Sequence, residues 1–218
     1  MKKIIYLAIG LTTITLCAQT PLPYSNGFDT DTSLNGWSFA ELGNICGPAH
    51  NNHYWDARLR DNAVSAPNVL YHDYEVGYEG TELTEDWVIS PSFNFESGAE
   101  VSFKINVYSI MGNPNPEDNI ELYLMKSNSE GDITEYSLLT SLIDYCNSEY
   151  NTFDTVTIDI PPATGNSHIG FKYESINNWF TVGIDDLTIS SGTASTPVVE
   201  DLYNQTLLYP NPAKEYIT

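Results

Sequence analysis

The sequence predicts an all-β protein built as an antiparallel β-sandwich of jelly-roll type. In several segments apolar and polar residues alternate with a period of two, most clearly over residues 101–108, Val-Ser-Phe-Lys-Ile-Asn-Val-Tyr. Such alternation is typical of strands with one buried face. Turns containing proline and glycine separate these segments at regular spacing, as in a sandwich or jelly roll. No segment of the sequence keeps the period of an amphipathic helix for three turns.

The predicted strands follow one another between residues 87 and 189. Their separating turns include Gly-Asn-Pro-Asn-Pro at 112–116 and Pro-Pro-Ala-Thr-Gly at 161–165. Residues 41–80 are instead rich in Asn, His, Tyr and Gly without a clean period, which predicts long loops of the kind that often carry function. The six predicted strands are residues 87–95, 101–108, 120–124, 156–160, 169–173 and 180–189.

The first 18 residues have the pattern of a secretory signal peptide. Lys2 and Lys3 precede an apolar stretch of signal-peptide length, and the small residue Ala18 ends it. The stretch is followed by polar sequence without stop-transfer charges, which disfavours the alternative of a short membrane anchor. We therefore predict cleavage after Ala18 and an exported chain, secreted or held at the cell surface.

The chain is strongly acidic, and this excludes two classes of partner. Loss of Lys2 and Lys3 with the signal peptide takes the formal net charge from −21 to −23. Nucleic acids and anionic membranes are polyanions that bind clustered Lys and Arg, so both are poor partners for this surface. Divalent cations are natural partners.

The last predicted strand contains an irregularity at two adjacent acids. Val182 and Ile184 share one parity, whereas Leu187 and Ile189 share the other, so the inward face changes across Asp185 and Asp186. A one-residue bulge would produce this change and turn one carboxylate toward a loop. Calcium would offset the cost of placing two acids together in a strand. The alternative is that the strand ends there and both acids are solvated.

Recognised catalytic motifs are missing from the sequence. It contains no HExxH, no GxSxG and no glycine-rich phosphate loop. His50 and His53 have a spacing that zinc can use, but without helical context an ordinary surface pair is favoured. Asp29, Asp31 and Ser33 begin like a calcium-binding EF-hand loop, yet Leu34 stands where that loop needs glycine. We predict a protein that is not an enzyme.

Two cysteines remain after signal-peptide cleavage, Cys46 and Cys146. Export takes them to a compartment in which disulfides persist. The sequence allows one bridge between them and equally allows two free thiols, because a single pair lacks the density of a disulfide framework.

The aromatic residues divide into two predicted groups. Trp37 and Trp87 lie in strand-like runs and are predicted to be core residues. Trp55, Tyr74 and Trp179 lie in loop-like sequence beside polar residues, where rings stack on sugars. We predict that these three form the ligand-binding surface. The alternative is that some of them pack loops against the sandwich.

Two motifs in the chain resemble a known family. Glu-Asp-Trp-Val-Ile-Ser-Pro at 85–91 and Gly-Ile-Asp-Asp-Leu at 183–187 are similar, in type and order, to motifs of the cleaved-adhesin or choice-of-anchor J domain. Glu85 departs from the Asp that the family has there. The resemblance implies a jelly roll similar to the MAM domain. It also implies that Asp29 and Asp86 join the calcium site from other strands.

The final residues resemble a secretion signal. Leu-Leu-Tyr-Pro-Asn-Pro-Ala-Lys-Glu-Tyr-Ile-Thr at 207–218 is similar to the start of the C-terminal sorting domain of the type IX secretion system of Bacteroidetes. The predicted organisation is a signal peptide at 1–18, an adhesin-type domain at 19–190, a linker at 191–206 and this truncated sorting segment.

These features together predict a non-catalytic adhesion module that binds a glycan or an extracellular protein and is stabilised by calcium. A second hypothesis is an accessory domain of a secreted peptidase or glycosidase whose catalytic part lies outside this chain. A third is an enzyme that uses the acids and histidines of residues 50–86. The type IX secretion machinery is the predicted export partner.

Overall fold

The computed structural model describes the greater part of the predicted adhesin-type domain. The described residues are 19–30, 32–43, 55–60, 63–73, 84–109, 118–147, 149, 152–175 and 180–192. The predicted signal peptide, most of the linker and the sorting segment lie outside them.

The described residues form thirteen strands and one short 3-10 helix, Ile143–Tyr145. Within this part of the chain, no helix is long and apolar enough to cross a membrane. In chain order the strands are β1 (Tyr24–Asn26), β2 (Ser38–Gly43), β3 (Asp56–Leu59), β4 (Asn68–His72), β5 (Thr84–Ile89), β6 (Phe93–Phe95), β7 (Ala99–Ser109), β8 (Asn119–Ser127), β9 (Ile133–Ser141), β10 (Cys146–Asn147), β11 (Asp154–Ile160), β12 (Ala163–Ser175) and β13 (Phe180–Ser191).

The strands build two sheets that pack as a sandwich of jelly-roll type. One sheet has the order β10-β7-β13-β4-β3, with β1 added to β13 and β11 added to β7. The other has the order β2-β5-β12-β8-β9, with β6 added to β12. The named strands pair antiparallel, apart from a two-residue parallel contact of β10 with β7. The first strand, β1, lies beside the last, β13.

One apolar core fills the space between the sheets. Alternate residues of β7, including Val101, Phe103 and Ile105, are fully or almost fully buried there. Phe171 of the facing sheet packs edge-on against Phe103, with ring centroids 5.2 Å apart. The alternation in the sequence therefore identified the buried face correctly, and the predicted fold class is confirmed. Trp37, predicted to be a core residue, is 7% exposed and belongs to this core.

The prediction that residues 41–80 form only loops is wrong. The segment contains β3 and β4. In β4 the last four residues, Val69 to His72, are all buried, so this strand has no polar face and shows no alternation. The predicted strand 87–95 is also two strands, β5 and β6, separated at Ser90-Pro91-Ser92.

Candidate functional site

The outer face of the six-stranded sheet carries a second apolar cluster, separate from the core. Val88 points into the core, whereas its neighbours Trp87 and Ile89 pack with Met125 on the opposite side of the sheet. Trp87 was predicted to be a core residue. It is buried, at 7% exposure, but on this outer face.

Three rings meet on this face, and we call Trp87, Tyr123 and Tyr136 the aromatic face. The Trp87 ring centroid lies 5.0 Å from that of Tyr123 and 6.0 Å from that of Tyr136. The two tyrosine rings are 5.7 Å apart. Tyr136, on the sheet's β9 edge, is 65% exposed. The buried Trp87 Nε1 has no hydrogen-bond acceptor among the described residues. An unpaired buried donor is uncommon and calls for an explanation.

A polar network lies beside the aromatic face. Lys172 Nζ donates to Glu121 Oε2 at 2.7 Å and to Glu174 Oε2 at 2.6 Å. The same ammonium lies 5.9 Å from the ring centroid of Trp87 and 5.6 Å from that of Tyr123. The Tyr123 hydroxyl donates to Glu121 Oε2 at 2.7 Å, and Asn119 Nδ2 donates to the other Glu121 oxygen at 2.9 Å.

This network changes the pKa of two of its members. Burial, together with the neighbouring Glu121 carboxylate, raises the pKa of Tyr123 to about 12. Burial opposes the charge on Lys172, but its bonds to Glu121 and Glu174 outweigh that effect and raise the pKa of its ammonium. At neutral pH the tyrosine is a neutral donor and the lysine is charged.

A second polar site lies at the predicted irregularity of β13. The register of β13 against β7 shifts between Asp185 and Thr188, so the predicted bulge is confirmed. Asp185 Oδ2 accepts the backbone N–H groups of Val64 and Ser65 at 2.8 and 3.0 Å. Its Oδ1 accepts the Ser65 hydroxyl at 2.9 Å and the Asp186 N–H at 2.7 Å. Burial raises the pKa of Asp185, although these donors act in the opposite direction.

Asp29 lies close to this carboxylate. A Cβ on Gly27 would stand 2.6 Å from Asp29 Oδ2 and 2.7 Å from Ser65 Oγ, so the three residues crowd together and only glycine fits at position 27. Asp29 Oδ1 is buried and has no hydrogen-bond donor among the described residues. We call Gly27, Asp29, Ser65 and Asp185 the oxygen cluster. Its hard oxygen donors are of the type that calcium prefers.

The backbone beside the oxygen cluster is strained. Phe28 and Asp186, which adjoin Asp29 and Asp185, are the two non-glycine residues of the described chain with positive φ, 56° and 49°. Such conformations concentrate at functional sites.

The structure corrects the predicted composition of the metal site. Asp86 does not join Asp185; it lies in the other sheet, and its Oδ2 is 3.0 Å from Nε2 of His72. The imidazole, fully buried and stacked on Tyr173 at 3.7 Å, partners the acid in place of a cation. The described residues contain no group of three or more His, Cys, Asp or Glu side chains placed to hold a metal. Any cation site here must use backbone or hydroxyl oxygens as well.

The structure also corrects the predicted binding surface. Trp55 is 2% exposed and donates its Nε1–H to the backbone oxygen of Asp86 at 3.1 Å. Trp55 immediately precedes β3, which begins at Asp56, and its ring packs in the core between the sheets. Trp55 is therefore not an exposed stacking residue. Tyr74 and Trp179 lie outside the described residues.

Of the two cysteines of the predicted disulfide, only Cys146 lies among the described residues. Cys146 is a free thiol on β10, and burial raises its pKa. Cys46 lies outside the described residues, and the free Cys146 agrees with the alternative of unpaired thiols rather than with the bridge.

No protein-family model and no curated protein sequence matches the chain. Among solved structures, the K1 cleaved adhesin domain of Lys-gingipain from Porphyromonas gingivalis W83 is similar at 13% identity and a TM-score of 0.49. The alignment covers 79% of this chain and 99% of that domain. A family 11 carbohydrate-binding module from Clostridium thermocellum, solved with a mixed-linked tetrasaccharide, is similar at 12% identity and a TM-score of 0.48, covering 79% and 98%.

A third similar structure is the CBM22-1 xylan-binding domain of Paenibacillus barcinonensis Xyn10C, at 11% identity and a TM-score of 0.46. This alignment covers 79% of this chain and 96% of that one. With TM-scores below 0.5, these similarities do not bear on the function of this chain.

Sequence reasoning missed most of the outer-face site. Glu121 and Tyr123 occupy the polar positions of the predicted strand 120–124, and Lys172 occupies one in the strand 169–173. The signal in the sequence was a Tyr and a Glu at outward positions of one predicted strand and a Lys at an outward position of another. It becomes informative only once β8 and β12 are known to be neighbours.

Proposed function

We propose that this chain is a secreted or cell-surface binding module that captures an extracellular glycan on the aromatic face. The observation that carries the proposal is the group of three rings on the outer face, in which Tyr136 is 65% exposed beside Trp87 and Tyr123. Aromatic rings beside fixed polar groups are a common way to hold a ligand that has an apolar side and hydroxyl edges.

The network around Glu121 supports binding of hydroxyl groups. Glu121 and Asn119 are held by each other and by Lys172 and Tyr123 before any ligand arrives. Ser141 extends the network by donating to Asn119 Oδ1 at 2.8 Å. Side chains that are already ordered lose little conformational entropy on binding. Because these residues stand on strands, their spacing is set by the sheet.

We also propose that calcium binds the oxygen cluster and stabilises the domain. Asp29 and Asp185 would supply carboxylate oxygens, and Ser65 and Gly27 would supply a hydroxyl and a carbonyl. The buried Asp29 Oδ1, which has no donor among the described residues, and the close approach of Asp29 and Ser65 to Gly27 support this assignment. A bound cation would offset the cost of burying the Asp185 carboxylate, which raises that group's pKa. The cation would hold β1, β13 and the β3–β4 connection together.

The glycan proposal is tested by a polysaccharide screen with two matched variants. Tyr136→Ala removes the exposed ring of the aromatic face. Phe39→Ala removes a ring, 46% exposed, from a residue that pairs with Val88 and so belongs to the other side of the same sheet. We expect Tyr136→Ala to weaken binding about fivefold, since one stacked ring contributes on the order of 1 kcal/mol. Phe39→Ala should bind as the wild type does. Equal losses in both variants, or no captured glycan, would overturn the proposal.

A further inference from the structure

We infer that Glu85 and Glu174 act as a charge filter that restricts the aromatic face to uncharged glycans and rejects those carrying carboxylate or sulfate groups. The inference rests on the proposed glycan-binding function and adds the class of glycan. It is carried by the strand register, by the bonding of Lys172, the one cation that the described strands place on this face, and by the charge of the whole chain.

The strand register places the two glutamates directly opposite each other. In the antiparallel pair of β12 and β5, Glu174 lies across from Glu85, and the next outward pair along is Lys172 across from Trp87. Both glutamates therefore stand on the outer face, one step from the indole. Like charges placed directly opposite in a sheet destabilise it. A pair that lowers the stability of the sheet in this way is consistent with a role in binding.

The cation beside this pair is already bonded. Lys172 Nζ binds Glu121 and Glu174 at once, at 2.7 and 2.6 Å. Lys172 is the only Lys or Arg that the described strand register places on the outer face of β5, β8 or β12. Lys126 belongs to the opposite parity of β8, and its Nζ lies 3.2 Å from Glu135. An anionic ligand would meet three carboxylates and one ammonium that is shared between two of them.

The excess of negative charge at this site is only partly screened by water. The side chains of Glu121 and Lys172 are 11% and 10% exposed, so water screens them incompletely. The formal net charge of −21 extends the repulsion beyond the site at low ionic strength. A hydroxyl group both donates and accepts, so a neutral sugar can bond the same carboxylates. A carboxylate or sulfate could not, and it would be desolvated without a partner.

The test compares one neutral polysaccharide from the screen with its carboxymethylated derivative, which keeps the same backbone and carries carboxylate groups in place of some hydroxyl groups. Binding of the mature chain is measured at about 20 mM NaCl, where charges are weakly screened, and at about 500 mM NaCl, where they are strongly screened. These concentrations lie below and above the one at which the Debye length is about 8 Å. We expect the wild type to bind the neutral polymer with little salt dependence and the derivative at least about tenfold more weakly, a difference of about 1.4 kcal/mol.

Two double variants with equal charge changes locate the filter. Glu85→Gln with Glu174→Gln should raise the affinity for the derivative relative to the neutral polymer by about tenfold. Glu96→Gln with Glu100→Gln, both exposed and away from the aromatic face, should leave that ratio at the wild-type value. Melting temperatures establish that each variant is folded.

The results separate this inference from the proposed function. If the wild type binds the derivative as tightly as the neutral polymer, the filter is refuted and glycan binding stands. An unchanged ratio in the first double variant, or an equal change in both, also refutes it. If neither polymer binds, the proposed function fails and the filter fails with it.

Discussion

Nε2 of His72 and Oδ2 of Asp86 lie 3.0 Å apart in the core and join strand β4 of one sheet to strand β5 of the other. His72 Nδ1 also lies 2.7 Å from the carbonyl oxygen of Asp73, which can only accept a hydrogen bond. The pair is therefore fixed at both ends. It ties the two sheets together by a buried polar contact.

Asp86→Ala should reduce the free energy of unfolding by about 3–5 kcal/mol, because it leaves a buried imidazole without its partner. His72→Ala should cost a similar amount. The double variant should lose less than the sum of the two, and urea unfolding of the four proteins measures this coupling. Additive losses would show that the two side chains do not act as a pair.

Trp55→Ala should also destabilise the domain by about 3–5 kcal/mol, because it empties a large core position beside His72 and Phe171. Trp55→Phe should cost less, since it keeps much of the ring volume and loses the bond to the Asp86 backbone oxygen. Thermal unfolding checks both. A melting temperature for Trp55→Ala equal to that of the wild type would contradict the buried placement and restore Trp55 as a surface residue.

Calcium should raise the melting temperature relative to EDTA. At calcium 100-fold above the dissociation constant, the gain in unfolding free energy is about 2.7 kcal/mol. Asp185→Asn should abolish this gain, whereas Asp159→Asn, an exposed acid on β11, should keep it. The same midpoint in calcium and in EDTA for the wild type would remove the proposed site.

The pH dependence of that gain follows from the pKa of Asp185, which burial raises above its ordinary value of 3.8. A carboxyl with a raised folded-state pKa binds its proton more tightly when folded. In EDTA its contribution therefore increases stability as pH falls through the folded pKa toward 3.8, and is lost as pH rises. Calcium needs the ionised form, so the calcium-dependent gain should shrink over the same window. Melting curves at successive pH values test this. A gain that stays constant down to the ordinary pKa would contradict it.

Tyr123 should ionise at a higher pH than an ordinary tyrosine. Burial and Glu121 raise its pKa to about 12, so its phenolate absorbance should grow in above the range of ordinary tyrosines. Glu121→Gln should lower that midpoint, because it removes the negative charge that opposes ionisation. The raised folded-state pKa also means that stability from this group is complete below pH 10 and is lost as pH rises toward 12. Ultraviolet titration of the wild type and the variant provides the comparison.

The sequence was informative where one physical signal dominated. The change of parity around Asp185 and Asp186 predicted a real bulge, because inward positions of a strand must be apolar. It did not predict β4, because a strand buried on both faces lacks alternation. Trp87 and Trp55 show a second limit. Local sequence identified Trp87 as buried but gave the wrong face of the sheet, and it missed the burial of Trp55, because both depend on which strands are neighbours.

The most direct test of glycan binding on the aromatic face is the indole N–H region of a proton–nitrogen NMR spectrum during titration with the captured glycan. The Nε1–H of Trp87 has no acceptor among the described residues, whereas that of Trp55 is bonded to Asp86. Trp87→Phe and Trp55→Phe variants assign the two signals. We predict that the Trp87 signal moves with glycan concentration while the Trp55 signal stays in place. Glycan binding that leaves the Trp87 signal unmoved would place the binding surface elsewhere and contradict the account.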